Sequence, residues 1–275
     1  MSTASGTAAL LLDTKPAPDH VRFIICAVSA AVYGVGILAL LIAFYNHKYP
    51  LLKAKHLPLL TISHIGAIMW NVGFLHASNF LVLPASIDYC ALWDVWIQWV
   101  LGVMLLSGVL ILRLYSLYRV FVQRKSATTK ELGVVSAYYY APIIACAVVF
   151  TALPRFGASY NPVARKCKVD PVYHGTAFGF VLIALMGLGW LTYKLRGIRR
   201  SFNEFKELRI GFFLVLLVFS VNALLVMTRL SQSLLSRYIL AALNVLAGNL
   251  YFWLTLGRPL YGCLFRRQYY LNKFL

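Results

Sequence analysis

The sequence predicts an all-α fold: a polytopic membrane bundle of seven helices, N-terminus outside, with a short amphipathic C-terminal helix on the inner leaflet. Three observations predict it. Of 275 residues, 61% are hydrophobic and only 12% are charged, against about 45–50% and about 25% in a soluble domain. A soluble fold would lack the polar residues to face water. The apolar residues fall into seven runs, each near the roughly 20 residues that cross a bilayer. The basic residues sort by membrane side.

The spans are read at 21–45, 57–77, 90–121, 132–153, 174–195, 208–229 and 237–257. The third is the longest and is expected to protrude. Backbone polar groups in lipid must bond within each segment, so runs of this length imply helices. Residues 1–20 read as a short extracellular tail, 21–257 as the bundle and 258–275 as a cytoplasmic helix and tail. No basic segment precedes the short apolar run Ala8–Leu12, so no cleavable signal peptide is expected. The first span is expected to act as its own insertion signal.

The net charge is +18, which in a soluble protein would suggest nucleic acid. Here one side of the bundle carries 18 Lys/Arg and three Glu, and the other eight Lys/Arg and five Asp. Basic residues favour the cytoplasm, so both the even-numbered connections and the N-terminus are placed outside. Each base near an anionic inner leaflet contributes about 1 kcal/mol of attraction. Lipid thus accounts for the basicity, and nucleic acid is not a partner. Arg165, Lys166 and Lys168 stand apart in the longest outer loop, either solvated or touching ligand.

Of five cysteines, only Cys90 and Cys167 fall on the outer side; Cys26 and Cys146 lie inside spans and Cys263 in the tail. The topology therefore predicts a Cys90–Cys167 disulfide, the alternative being two unrelated thiols. Below Cys90 the third span reads CALWDVWIQW. Cys90, Asp94 and Gln98 recur every four residues and so share one helical face. If that face turns inward, Asp94, Gln98, Trp93 and His76 become ligand-binding candidates. A charge within a span is costly and usually functional. Alternatively Asp94 pairs with Arg229, Arg237 or His76, and Trp93, Trp96 and Trp99 form an interfacial belt.

His64 and Asn71 share a face of span two, Asn222 lies in span six, and Asn244 and Asn249 lie in span seven. These mid-span polar residues read as interhelical hydrogen bonds, worth about 0.6 kcal/mol each. A solute path is the alternative use. Span three ends with Arg113 and Arg119, and Asn203, Glu204, Lys206 and Glu207 precede span six. A glutamate here can latch the two spans across the cytoplasmic face, or pair locally with Arg200 or Lys206. Gly257 and Pro259 suit a helix end and a new helix start. Beyond them an amphipathic helix is expected on the inner leaflet, with Cys263 as a palmitoylation candidate.

No HExxH, GxSxG, CxxC or P-loop pattern occurs, and no lysine lies in the core of span seven. The sequence therefore predicts neither an enzyme, nor a metal site, nor a cofactor. It has no inverted half-repeat, which weakens a transporter.

The seven spans, the cysteine at the top of span three, its partner in the second outer loop and the short tail helix together resemble a G-protein-coupled receptor. Phe202-Asn203-Glu204-Phe205-Lys206 resembles the FNEAK-type motif of the class C, glutamate-receptor-like group. The seven-span regions of fungal receptors, and of receptors linked to regulator-of-G-protein-signalling domains, are similar over about residues 21–270. The resemblance implies that Glu204 pairs with Arg119, or else with Arg113. It also implies that cytoplasmic loops two and three engage a heterotrimeric G protein, in response to an unidentified extracellular ligand. A plasma-membrane location follows from that reading, and a homo-oligomer is left open. The chain departs from the group in lacking a large ligand-binding domain before span one and a Trp in mid-span six. Val218-Phe219-Ser220-Val221-Asn222 stands in the latter place. It has Gly248-Asn249-Leu250-Tyr251 instead of an NPxxY-like run, and no DRY in span three. Those departures make a transporter or channel, or a receptor-like membrane scaffold, the alternatives.

Overall fold

The computed structural model describes residues 17–53, 55–81, 89–153, 157–161, 166–196, 203–227 and 233–265. Its elements run α1 (Asp19–Tyr45), α2 (Pro50–Lys53), α3 (Leu57–Ala77), α4 (Ala91–Phe121), α5 (Thr129–Ala152), β1 (Ala158–Asn161), β2 (Lys166–Val169), α6 (Pro171–Lys194), α7 (Asn203–Met227) and α8 (Leu234–Phe265). Six helices, α1, α3, α4, α5, α6 and α8, are long and apolar enough to cross a membrane. In α7 the side chains described are those of 209–225, an apolar stretch. The chain is a multi-pass helical membrane protein.

Helix α4 lies at the centre, packing against α3, α5, α6 and α7, while α8 packs against α1, α3 and α7. The α3–α8 seam is antiparallel, with Leu60 near Leu256, His64 on Phe252 and Ala67 against Gly248. Phe74 and Leu75 meet Leu240 and Ala241 one step further on. Small residues let backbones approach where lipid offers no hydrophobic drive to pair helices. A Cβ on Gly73 would lie 2.5–2.9 Å from Gln98, backbone included. One on Gly102 would lie 2.7–2.9 Å from Trp70. These two glycines set the α3–α4 distance.

The first part of α4 is a surprise of winding. Ala91–Met104 is a π-helix, and Leu105–Phe121 is α. Among its buried positions, Ala91, Val95, the Trp99–Val100 pair and Met104 recur about every four to five residues, as i→i+5 bonding allows, and Asp94 and Gly102 are buried between them. This segment is apolar nearly all round, so hydrophobic period alone could not reveal the winding.

Helix α5 opens with a capping box: Thr128 Oγ1 accepts from the Glu131 amide, and Glu131 reaches back to the Thr128 amide. It buries only Ile143, Ala147 and Phe150 and is otherwise peripheral. Pro142 sits inside it, as lipid-embedded helices tolerate. β1 and β2 form an antiparallel hairpin with Tyr160 opposite Cys167. Asp170 caps α6, accepting from the Val172 amide at 2.8 Å.

The expected helix break at Gly257 is absent. α8 runs unbroken from Leu234 through Pro259 to Phe265. Pro259 and Leu260 are buried, and Leu256 and Leu260 pack with Tyr49 and Leu52 beside α2. That packing holds the helical path through the one backbone bond that proline cannot donate. The reading of a separate amphipathic helix from 258 is corrected to a continuation of α8 as far as Phe265; residues 266–275 lie outside the described ones.

Candidate functional site

Three polar regions lie along the axis of the bundle. At one end a Cys90–Cys167 disulfide, Cα–Cα 5.6 Å, ties the start of α4 to strand β2, as topology predicts. Beneath it Asp94 is 3% exposed. Its carbonyl accepts a 2.8 Å bond from the Tyr173 hydroxyl of α6. His76 at the end of α3 stacks on Trp93, centroids 5.0 Å apart, and Gln98 lies half-buried beside Gly73. Trp93 and Gln98 thus face α3, at His76 and Gly73, while Asp94 meets α6 through its carbonyl. Arg237, an alternative partner for Asp94, donates to the Ser78 carbonyl at 3.2 Å. Arg229 lies outside the described residues.

Sequence reasoning missed the aromatic wall beside this seam. Trp99 meets Tyr173 and Phe180 edge-on at 5.8 Å each, and Phe150 packs on Tyr173 at 5.3 Å. Trp96 is not merely interfacial: its indole N–H donates to Thr151 of α5 at 3.0 Å. Three helices, α4, α5 and α6, supply these rings, so no local sequence signal joins them.

At mid-depth, His64 and Asn244 are each 1% exposed. The His64 ring lies 4.2 Å from that of Phe252, with Nε2 3.4 Å from the Tyr33 carbonyl. Gly36 makes room for it, since a Cβ there would lie 2.5 Å from the imidazole. Asn71 Oδ1, both amide atoms of Asn244, Asn249 Oδ1 and the Tyr33 hydroxyl are buried with no hydrogen-bond partner among the described residues. Asn249 and Asn222 instead bond back along their own helices, to the Val245 and Val218 carbonyls. Of the mid-span polar residues, His64 thus makes an interhelical contact, to α1, whereas Asn222 and Asn249 bond within their own helices.

At the other end, buried Arg113 of α4 donates to the Tyr251 hydroxyl of α8 at 2.7 Å. The Tyr251 ring lies over Gly211 of α7, where a Cβ would approach within 2.7 Å. Three helices meet at this one tyrosine. Arg119 is bonded to Glu131 at the start of α5 and to Gln123. The backbone of α7 begins at Asn203, but the side chains of Asn203, Glu204 and Lys206 lie outside the described ones, and the Glu204 latch with them. Cys263 is half-buried in the last turns of α8. Among the described residues no group of His, Cys, Asp or Glu could hold a metal ion.

The chain matches no protein-family model and no curated protein sequence.

Proposed function

We propose that this chain is a seven-span receptor-like signal transducer. It faces outward with the disulfide end and acts on a heterotrimeric G protein at the end carrying Arg113, Arg119 and the Glu204 region, as the resemblance of the Phe202–Lys206 run implies. The observation that carries this reading is the Arg113–Tyr251 bond. It is a buried, charge-assisted contact joining three helices at the end opposite a disulfide-fixed seam of carboxylate and aromatics. A transmitter needs two distinct sites and an element between them that both can bias. α4 runs through both. The plasma membrane is the location this role requires.

The test is guanine-nucleotide exchange on a panel of Gα subunits in membranes, with wild type, Tyr251→Phe and Glu204→Gln compared. Removing a hydroxyl that holds α4 to α8 favours the open arrangement, so basal exchange is expected to rise several-fold in Tyr251→Phe. A panel that responds to none of the three proteins overturns coupling.

The mid-depth seam favours a second reading, a carrier. Buried polar atoms without protein partners are rare in membrane helices and often mark solute or ion paths. Flux in proteoliposomes that disappears in Asn71→Leu would establish it.

A further inference from the structure

The two windings of α4 meet in the middle of the bundle, and three consecutive carbonyls at the meeting point carry side-chain hydroxyls. The Leu105 amide still reaches back to the Val100 carbonyl, five residues away. Ser107 Oγ donates to the Val103 carbonyl at 2.7 Å and lies 3.2 Å from that of Met104. The Tyr139 hydroxyl of α5 lies 2.8 Å from Ser107 Oγ and 3.4 Å from the Met104 carbonyl. The Tyr140 hydroxyl lies 3.4 Å from both the Met104 and Leu105 carbonyls. Gly108 admits that hydroxyl, since a Cβ there would come within 2.2 Å of it. A carbonyl has two lone pairs and can accept from a hydroxyl and an amide together.

We propose that the π-to-α boundary of α4 is a movable register switch, clasped in its present place by the hydroxyls of Tyr139 and Tyr140. The cluster lies where the amide bonding changes from i→i+5 to i→i+4, on residues from a different helix. Converting π turns to α raises the rotation per residue from about 82° to about 100°. Shifting the boundary by five residues therefore turns the rest of α4 by about 90°. The upper end is held by the disulfide and by Tyr173 on the Asp94 carbonyl. The rotation must appear in the lower half, which carries Arg113 and Arg119. A shift in winding thus turns both arginines toward new partners, with an axial shift of only about 2 Å because a π turn rises less per residue than an α turn. The switch itself does not depend on signalling; its use to control a G protein rests on the function proposed above.

The test is amide hydrogen exchange, read by mass spectrometry on peptides covering residues 100–110 of the full chain in lipid nanodiscs. Tyr139→Phe/Tyr140→Phe keeps both rings and removes both hydroxyls. Exchange in this segment should rise tenfold or more, while peptides from α3 stay unchanged. Gly108→Ala, which expels the Tyr140 hydroxyl from the other side, should give the same local rise. If the double variant does not fold, Ser107→Ala carries the test with the same expectation. Exchange at 100–110 that is unchanged or slower in the folded variants overturns the clasp, whatever the nucleotide-exchange assay shows.

Discussion

Gly73 shows how little a single residue must be for two helices to meet. Its missing side chain leaves the α4 backbone at Gln98 in direct contact, and overpacking at such a site typically costs about 1–3 kcal/mol. Gly73→Ala should lower the thermal midpoint in detergent, whereas Gly34→Ala, with nothing within 4 Å, should leave it unchanged. Equal midpoints for the two variants would refute the close-packing account. Tyr251→Phe leaves the Arg113 guanidinium buried without its hydroxyl partner. Hydrogen bonds to charged groups contribute about 1.5–3 kcal/mol, so this variant should also melt earlier, and Arg113→Met/Tyr251→Phe should recover part of the loss. Individual residues were unequally legible in the sequence. The Cys90–Cys167 pair could be read because topology leaves only two cysteines on one side. Arg113 could not be ranked above Arg119, because which arginine is buried depends on Glu131 engaging Arg119 from the next helix. In the sequence Tyr251 stands out only as part of Gly248-Asn249-Leu250-Tyr251, a departure from a motif. Its role needs Gly211, forty residues away in the chain.

At the scale of elements, five of the spans were legible to within three residues at each end, because apolar runs bounded by charges leave little freedom, while the last helix runs eight residues past the expected 257. The predicted 57–77 matches α3, and 21–45 differs from α1 by two residues at its start. Winding and continuity were not legible. A segment apolar but for Asp94 and Gln98 has too weak a period to betray π winding. A Gly-Arg-Pro run reads as a break unless the packing of Leu256 and Leu260 against the 49–52 turn is known. The α4 element is also secured covalently. Closing a chain separation of 77 residues contributes about 4.5 kcal/mol in the loop-entropy account. Cys167→Ser should therefore lower the thermal midpoint markedly and loosen the β1–β2 hairpin. A midpoint equal to that of wild type treated with reductant would assign the whole effect to the disulfide rather than to the substitution.

For the whole molecule, the asymmetry of 18 bases and three acids against eight bases and five acids predicts which face meets the cytoplasm. Engineered glycosylation sequons test it. An acceptor placed in the 157–170 connection should be glycosylated in the secretory pathway, and one placed at 123–128 should not. The reverse pattern would invert the proposed receptor, with the basic face outside. The arrangement of helices around α4 was beyond sequence reading, since nothing local tells a central helix from a peripheral one. The length of α8 bears on the membrane the molecule occupies. Its 32 residues extend about 48 Å, against a hydrocarbon layer of about 30 Å, while α3 has 21 residues and spans about 31 Å. Because the α3–α8 seam sets Leu60 near Leu256 and Phe74 near Leu240, the excess of α8 is shared between its ends, and the part beyond the start of α3 is braced by Tyr49 and Leu52. Helix α8 therefore stands as a rigid post above the slab that α3 spans, beside α4 of 31 residues and α1 of 27. In a thicker, sterol-rich bilayer that post would be drawn into the acyl chains and in a thinner one pushed clear, so bilayer thickness itself becomes a load applied to α8.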